Sequence, residues 1–257
     1  MIRIALLLYS VAAYAVFLGV FLYLIAFVAN IAVPRSIDVG PAASPMVALA
    51  LNLALIGLFG LQHSVMARPA FKRWITRFVP PAIERSTFVL AASLVLVLLF
   101  WAWRPLPATV WRAEGALATG QLAACAVGWG TVLLSTFLIN HFDLFGLRQA
   151  WLHFLQRPLA PLGFRTTLLY KLVRHPIMLG FLIAFWFTPH MTAGHLLFAA
   201  GMTVYILIGV RHEERDLVQA LGPTYAEYRR ETPAFVPGLP GARDDLPAEG
   251  ITPGHSS

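Results

Sequence analysis

The segment Leu169–Tyr228 decides the fold of this chain, and it reads LYKLVRHPIMLGFLIAFWFTPHMTAGHLLFAAGMTVYILIGVRHEERDLVQALGPTYAEY. Its central part, Pro176–Gly209, runs for 34 residues without an Asp, Glu, Lys or Arg. A basic entry with Arg174 and His175 precedes this apolar run, and the polar block Arg211–Asp216 follows it. Two polar groups therefore flank one long apolar segment.

Pro189 divides the apolar run, because proline breaks the interior of a helix. We predict one short helix over Ile177–Thr188. A second helix begins at Thr192 or Ala193 and runs to about Gly209. The two helices form a C-terminal hairpin, and its folding brings the two polar groups to the same membrane face. We expect the functional site of the protein there.

The composition of the whole chain indicates a membrane protein. Charged residues make up 12% of the chain and hydrophobic residues 58%, and the mean hydropathy is +0.71. Soluble domains carry about 25% charged residues. We therefore predict an all-α, polytopic integral membrane protein with five to six hydrophobic helical segments, the last two being the hairpin.

Four apolar runs precede the hairpin, and a helix needs about 20 apolar residues to cross the bilayer core. The predicted spans are Ile4–Val33, Met46–Met66, Ser86–Trp103 and Gly115–Asn140. The amphipathic connection Leu144–Arg174 follows, with one helix expected on the membrane surface. Residues 1–236 then form a single transmembrane domain. Residues 237–257 are rich in Pro, Gly and acidic residues and are predicted to be a disordered tail.

The net charge of +7 could suggest nucleic-acid binding, but the basic residues lie in short loops between apolar runs. Such residues are typical of topology signals and of contacts with anionic lipid. Loops 67–85 and 141–175 each carry five basic residues and one acidic residue. The positive-inside rule places both loops and both chain termini in the cytoplasm.

This topology brings four polar groups to the cytoplasmic face. They are Gln62-His63-Ser64, Asn140–Asp143, Arg174-His175 and Arg211–Asp216. Ionisable groups that converge at a membrane edge indicate a functional site. A metal centre is not predicted, because Cys125 is the single cysteine and the chain contains no HExxH or CxxC pattern.

Two of these groups suit an ionic ligand. Arg174 and His175 precede Pro176, which favours the first turn of a helix, and a helix start favours an anion such as a carboxylate. The alternative is a snorkelling arginine at an ordinary helix entry. Glu213 and Glu214 suit a cationic or hydroxyl-bearing ligand, and the alternative is an ion-pair network along one helix.

Two further pairs leave the same choice open. Tyr225 and Tyr228 share one helix face, where aromatic residues pack against the protein or cover a ligand. His141 and Asp143 do not share a helix face, but in a loop the aspartate could orient the histidine as a base. A lone histidine at the membrane edge is otherwise an interfacial residue.

Several motifs resemble those of a known superfamily. RHPxxxG, EExxL and GxxYxxY resemble the isoprenylcysteine carboxyl methyltransferase-like superfamily of integral-membrane enzymes. In this chain they comprise Arg174, His175, Pro176 and Gly180, then Glu213, Glu214 and Leu217, then Gly222, Tyr225 and Tyr228. Three longer strings are similar to its nurim-related branch and, within it, to the bacterial methanethiol S-methyltransferase family: LQHSVMARPAFK from Leu61, NHFDLFGLRQ from Asn140 and FWFTPHMTAGHLLFA from Phe185.

The resemblance implies methyl transfer from S-adenosylmethionine to methanethiol, a small thiol, in a bacterial inner membrane, with a cofactor module over about 169–236. It implies that S-adenosylmethionine is held by Arg174, His175, Pro176, Gly180, Glu213, Glu214, Tyr225 and Tyr228. The candidates for the catalytic group are Gln62, His63, His141 and Asp143, with His175 as a further candidate base. Two alternatives remain open: methylation of a lipid amine or an isoprenylcysteine-type carboxylate, and a non-catalytic membrane protein.

Overall fold

The computed structural model describes residues 1–160, 162–164 and 166–239. Within these ranges the chain forms the following elements: α1 (Ile2–Ala29), α2 (Pro45–Ala67), α3 (Pro69–Ile75), α4 (Pro81–Ala102), β1 (Thr109–Arg112), α5 (Gly115–Ile139), α6 (His141–Leu144), α7 (Leu147–Phe154), α8 (Leu169–Leu172), α9 (Pro176–Trp186), β2 (His190–Thr192), α10 (Ala193–Leu221) and α11 (Pro223–Glu231). All of the predicted tail except Pro237–Leu239 lies outside the described residues.

The prediction of an all-α polytopic protein is confirmed. In the described part of the chain, five helices are long and apolar enough to cross a membrane: α1, α2, α4, α5 and α10. The shorter apolar helix α9 is the first arm of the predicted hairpin. Proline stands in the first turn of α2, α4 and α9, where its missing N–H costs no hydrogen bond.

The predicted end of the last apolar helix at Gly209 is wrong. Helix α10 continues to Leu221 and carries Arg211–Asp216 on its last turns. The physical reason is that charged residues do not end a helix when their side chains are hydrated or form ion pairs. The helix ends only at Gly222, whose φ of +57° is accessible to glycine, and Pro223 then opens α11.

Two short strands, which the sequence analysis did not predict, close one end of the bundle. Strand β1 pairs antiparallel with β2, and Arg112 lies opposite His190. The Thr192 hydroxyl donates to Asp38 Oδ1 at 2.5 Å, which ties the strands to the loop between α1 and α2. The chain from Phe187 to Thr192 is therefore the extended connection of the hairpin, and it lies far from the charged block.

Close backbone contact fixes α9 against α5. A Cβ added to Gly180 would lie 2.7 Å from the carbonyl oxygen of Gly128, and one added to Gly128 would lie 2.7 Å from the backbone nitrogen of Ala184. Both distances are shorter than a real Cβ contact allows. Glycine is therefore required at both positions for the two helices to cross this closely.

The basic loops contain more structure than predicted. Helix α3 lies in the first basic loop, directly after α2. In the second, α7 is the predicted surface helix, and α6 and α8 are single turns on either side of it. The α6–α7 region packs against α4 at Gly146, where an added Cβ would clash with the hydroxyl oxygen and backbone nitrogen of Ser86.

Candidate active site

Polar side chains from α4, α6, α10 and the segment before α9 meet at the end of the bundle opposite the strands, which we call the polar end. Arg174 and His175 precede α9 and contact Glu214 of α10. Arg85, in the first turns of α4, interacts electrostatically with Glu213 and Asp143. The polar groups that the sequence analysis assigned to one membrane face therefore lie together.

Glu214 is the centre of a buried ionic network. Its carboxylate accepts from Arg174 Nε at 2.8 Å and Nη2 at 2.5 Å, and from His175 Nε2 at 3.0 Å. Arg229 Nε lies 3.3 Å from its second oxygen. The side chain of Glu214 is 12% exposed and that of Arg174 only 3%. Glu214 therefore neutralises buried cations from other segments of the chain, and the network does not run along one helix as the alternative above supposed.

Arg174 and its neighbour hold the C-terminal segment of the domain. Arg174 Nη1 donates to the carbonyl oxygens of Arg229 and Thr232. The backbone N–H of Arg174 donates to the carbonyl of Pro233 at 2.9 Å, and that of His175 to the carbonyl of Ala234 at 3.2 Å. The donors expected to bind a ligand carboxylate thus bind the chain itself, and the structure gives Arg174 a structural role.

Glu213 differs from Glu214 in having an open carboxylate. Its side chain is 51% exposed, and Oε2 lies 3.7 Å from His175 Nδ1, beyond hydrogen-bond distance. Consecutive residues on a helix point about 100° apart, because a turn takes 3.6 residues. Glu214 therefore faces α9, while Glu213 points out of the network and remains available as an acceptor.

Arg85 also lies at the polar end, although the sequence analysis counted it only as a topology signal. Its Nε donates to the carbonyl of Leu144 at 2.7 Å, and the guanidinium lies 5.0 Å from the Phe88 ring centroid. Among the described residues, neither of its Nη atoms has a hydrogen-bond partner. Arg85 thus presents a cation beside the open carboxylate of Glu213. No local motif distinguished it from the other basic residues of its loop.

The two tyrosines of the GxxYxxY motif are packing residues in this arrangement. Tyr225 is 2% exposed, and Phe164 lies against both rings at 5.9 and 5.3 Å between centroids. The Tyr228 hydroxyl donates to the carbonyl of Tyr170 at 2.5 Å. Burial raises the pKa of Tyr228 to about 12 and also raises the pKa of Tyr225, so both hydroxyls stay neutral at physiological pH.

His141 is buried with both ring nitrogens occupied. Thr136 donates its hydroxyl proton to the carbonyl of Leu133 at 2.7 Å, so its oxygen accepts Nδ1–H of His141 at 2.8 Å. Nε2 then carries the lone pair and accepts the Tyr14 hydroxyl proton at 2.7 Å. The ring stacks on Phe137 with centroids 4.2 Å apart. Burial lowers the pKa of His141, and the imidazole is neutral.

Asp143 does not orient His141, which corrects the suggested pairing. Its carboxylate accepts from Arg148 Nη1 at 2.8 Å, and its backbone N–H donates to the Asn140 side chain at 3.1 Å. Asn140 therefore caps α6 through the Asp143 N–H, and the carboxylate of Asp143 anchors α7 through Arg148. The pairing fails because both nitrogens of the histidine find partners on α1 and α5 instead.

The remaining residues that the sequence analysis proposed for the site are His63, Gln62, Gly180 and Pro176. His63 Nδ1 lies 2.6 Å from the Tyr205 hydroxyl oxygen. Gln62 turns its Nε2 to the sulfur of Met66 at 3.0 Å, and its buried Oε1 has no hydrogen-bond partner among the described residues. Gly180 is buried in the α5–α9 crossing against Gly128, and its assignment to cofactor binding stays a prediction. Pro176 is buried as well and opens α9.

Comparison with known proteins decides the family. The chain is 54% identical over 237 residues to methanethiol S-methyltransferase 2 of Bradyrhizobium diazoefficiens, covering 92% of each chain. It is 55% identical over 232 residues to a methanethiol S-methyltransferase of Mycobacterium tuberculosis, covering 89% of this chain and 94% of the relative. The chain belongs to the methanethiol S-methyltransferase family. The resemblance of the sequence motifs to the methanethiol S-methyltransferase family is thereby confirmed.

A more distant relation to nurim is also present. Nurim of Sus scrofa is 30% identical over 183 residues, which cover 68% of this chain and 70% of that protein. No family model and no solved structure matches the chain. In this member of the methanethiol S-methyltransferase family, two strands close one end of the bundle. The polar end carries the open carboxylate of Glu213, the open guanidinium of Arg85 and several histidines.

Proposed function

We propose that this chain transfers a methyl group from S-adenosylmethionine to the sulfur of methanethiol, giving dimethyl sulfide. The observation that carries the proposal is 54% identity over 92% of the chain to an enzyme named for that acceptor. The chemistry belongs at the polar end, since the strand end is closed by β1, β2 and the loop around Asp38. We further propose that the polar end faces the cytosol, where the methyl donor is available.

The open side chains fit such a donor. S-adenosylmethionine carries a carboxylate, an ammonium group and ribose hydroxyls, so a site for it needs both an anion and a cation. Glu213 can accept from the ammonium or a hydroxyl, and the Nη atoms of Arg85 can donate to the carboxylate. When bound, the cofactor supplies a methyl group activated by a positively charged sulfur.

The chain's own residues then have three tasks. Glu213 and Arg85 orient the donor, and Glu214 with Arg174 holds α9, α10 and the C-terminal segment in place around it. A neutral histidine accepts the proton of the methanethiol thiol group. This help is needed because the nucleophile is the thiolate, whereas a small alkyl thiol is mostly protonated at neutral pH. The apolar spans keep water away from the reacting sulfur atoms, which favours a step that neutralises opposite charges.

The membrane location suits the acceptor and the product. Methanethiol and dimethyl sulfide are small and apolar, so both can reach and leave the polar end through lipid. The basic loops 67–85 and 141–175 favour a cytoplasmic position for this end by the positive-inside rule. We propose the bacterial inner membrane as the location and a cytoplasmic position for both termini.

Headspace gas chromatography of cells tests the proposed acceptor. Cells that express the chain and receive methanethiol should release dimethyl sulfide, and cells that express the Glu213→Gln variant at the same level should release much less. Ethanethiol supplied in parallel reports whether the acceptor site tolerates a longer alkyl group. Absence of any methylated sulfide from cells with well-expressed, membrane-inserted protein would contradict the proposal.

A further inference from the structure

Three histidines at the polar end, His63, His141 and His175, are candidates for the base, and their ring nitrogens are not equally available. His141 uses Nδ1 as a donor to Thr136 and Nε2 as an acceptor from Tyr14. It is 7% exposed and stacked on Phe137, so no lone pair faces open space. A thiol could transfer a proton to this ring only after one of these two bonds breaks.

His175 is held between two carboxylates. Its Nε2 lies 3.0 Å from Glu214 Oε1 and its Nδ1 lies 3.7 Å from Glu213 Oε2. Nε2 is therefore occupied by Glu214, and Nδ1 faces the carboxylate of Glu213. Its backbone N–H is also tied to Ala234. This histidine therefore helps to hold the ionic network, and neither of its ring nitrogens faces open space.

His63 has one fixed and one open nitrogen. Nδ1 lies 2.6 Å from the Tyr205 hydroxyl oxygen, whereas Nε2 has no hydrogen-bond partner among the residues that the structure describes. The ring is enclosed by aromatic residues, with centroids 4.8 Å from Phe88 and 5.5 Å from Phe59. These contacts fix the direction of the open nitrogen.

The surroundings of His63 place it beside the open ionic groups. Phe88 separates its ring from the guanidinium of Arg85, which lies 5.0 Å from the Phe88 centroid. The charge of Arg85 acts on His63, and the charge of Glu213 acts on Tyr205. The ion pair Arg68–Asp216, at 3.3 Å, links the end of α2 to α10 at the same end of the bundle.

We propose that His63, through Nε2, is the group that accepts the proton of the thiol, with Tyr205 as the residue that positions its ring. This rests on the proposed function. The reactive tautomer donates Nδ1–H to the Tyr205 oxygen and keeps the lone pair on Nε2. The thiol proton moves to Nε2, and an electron pair of the thiol sulfur forms the new S–CH₃ bond. The electron pair of the bond that breaks stays with the sulfur of the methyl donor.

The pH dependence of the rate separates a base from a residue that shapes the site. His63→Gln keeps a polar side chain of similar reach and should lower turnover about 10²–10⁴-fold at neutral pH. The defect should shrink as pH rises, since hydroxide then supplies thiolate without help. The titratable and charged groups next to His63 are Tyr205 on α10, which contacts its ring, and Arg85 on α4, and the charge of Glu213 on α10 acts on Tyr205. The exposed His153 of α7 provides the matched control, and His153→Gln should follow the wild-type profile.

Two readouts keep the test independent of turnover. Calorimetry should show unchanged affinity of His63→Gln for S-adenosylmethionine, because the proposed donor contacts lie on Glu213 and Arg85. With methanethiol but no methyl donor, the ultraviolet absorbance of bound thiolate should appear in the wild type and be lost in the variant.

Tyr205→Phe removes one oxygen and keeps the ring, so it should shift the pH profile even if the histidine variant fails to fold.

The outcomes separate this inference from the proposed function. A His63→Gln variant with the wild-type rate, or with a loss that is the same at every pH, overturns the role of His63 as the base. A Tyr205→Phe variant with an unshifted profile overturns the positioning role. If the wild-type protein itself makes no dimethyl sulfide although it binds S-adenosylmethionine, the proposed function fails instead.

Discussion

Glu213 and Glu214 are adjacent in sequence, and the structure predicts opposite consequences for their replacement by glutamine. Glu214 is 12% exposed and lies within 3.3 Å of Arg174, His175 and Arg229. Glu213 is 51% exposed and has no partner closer than 3.7 Å among the ion pairs of the described residues. Glu214→Gln should therefore damage the structure, and Glu213→Gln should damage ligand binding.

The magnitudes follow from burial. Removing one partner of a buried ion pair costs about 3–5 kcal/mol, because it leaves an uncompensated charge. Since about 1.4 kcal/mol is a factor of ten, α11 and the adjoining segment should exchange amide hydrogens at least 10²-fold faster in Glu214→Gln. Glu213→Gln removes one charge-assisted hydrogen bond to the ligand, worth about 1.5–3 kcal/mol, so the affinity for S-adenosylmethionine should fall at least about tenfold.

Two measurements on both variants in the same detergent separate the two effects. They are hydrogen exchange of α11 and calorimetric titration with S-adenosylmethionine. Glu213→Gln should show wild-type exchange and weak binding, and Glu214→Gln should show fast exchange. Wild-type affinity in Glu213→Gln would remove this carboxylate from the site. Slow exchange in Glu214→Gln would show that the buried network does not hold the C-terminal segment, and the distinction between the two glutamates would fail.

Three further predictions follow from the fold. Gly180→Ala should lower stability by about 1–3 kcal/mol through overpacking, whereas Gly130→Ala on the open face of α5 should not, as measured by thermal unfolding in detergent. Burial lowers the pKa of His141, so as pH falls the unfolded chain takes up this proton before the folded chain does, near pH 6.5. The free energy of unfolding should therefore decrease as pH drops below that value, and it should decrease less steeply in His141→Gln. A reporter inserted near Gly40 should work only in its exported form and one fused after Gly241 only in its cytoplasmic form; the reverse pattern would refute the orientation.

The spans could be predicted from the sequence because each is a long apolar run. The prediction of Met46–Met66 differs from α2 by one residue at each end. The end of α10 could not be predicted in the same way, since hydropathy marks where the bilayer ends and not where the helix ends. Strand β1 was missed because four residues pairing with a segment far along the chain leave no periodic signal.

The ionic site was predicted in place but not in detail. The EE pair was identified, yet assigning each glutamate a role required knowing that both lie on a helix and therefore point in different directions. His141 has its partners on α1, 127 residues away, and on α5, which no local spacing reveals. Arg85 was missed because the sequence analysis counted it as one of the basic residues that set the topology of loop 67–85. Long-range partners therefore determined the parts of the site that the sequence left open.

Transfer of an isotope-labelled methyl group in a purified system tests the central proposal most directly. The protein in detergent or nanodiscs receives S-adenosylmethionine with a labelled methyl carbon together with unlabelled methanethiol, and the headspace is analysed by mass spectrometry. The proposal predicts dimethyl sulfide with a single labelled methyl group, and a much slower release from Glu213→Gln. Unlabelled dimethyl sulfide, or none at all from protein that binds the methyl donor, would contradict it.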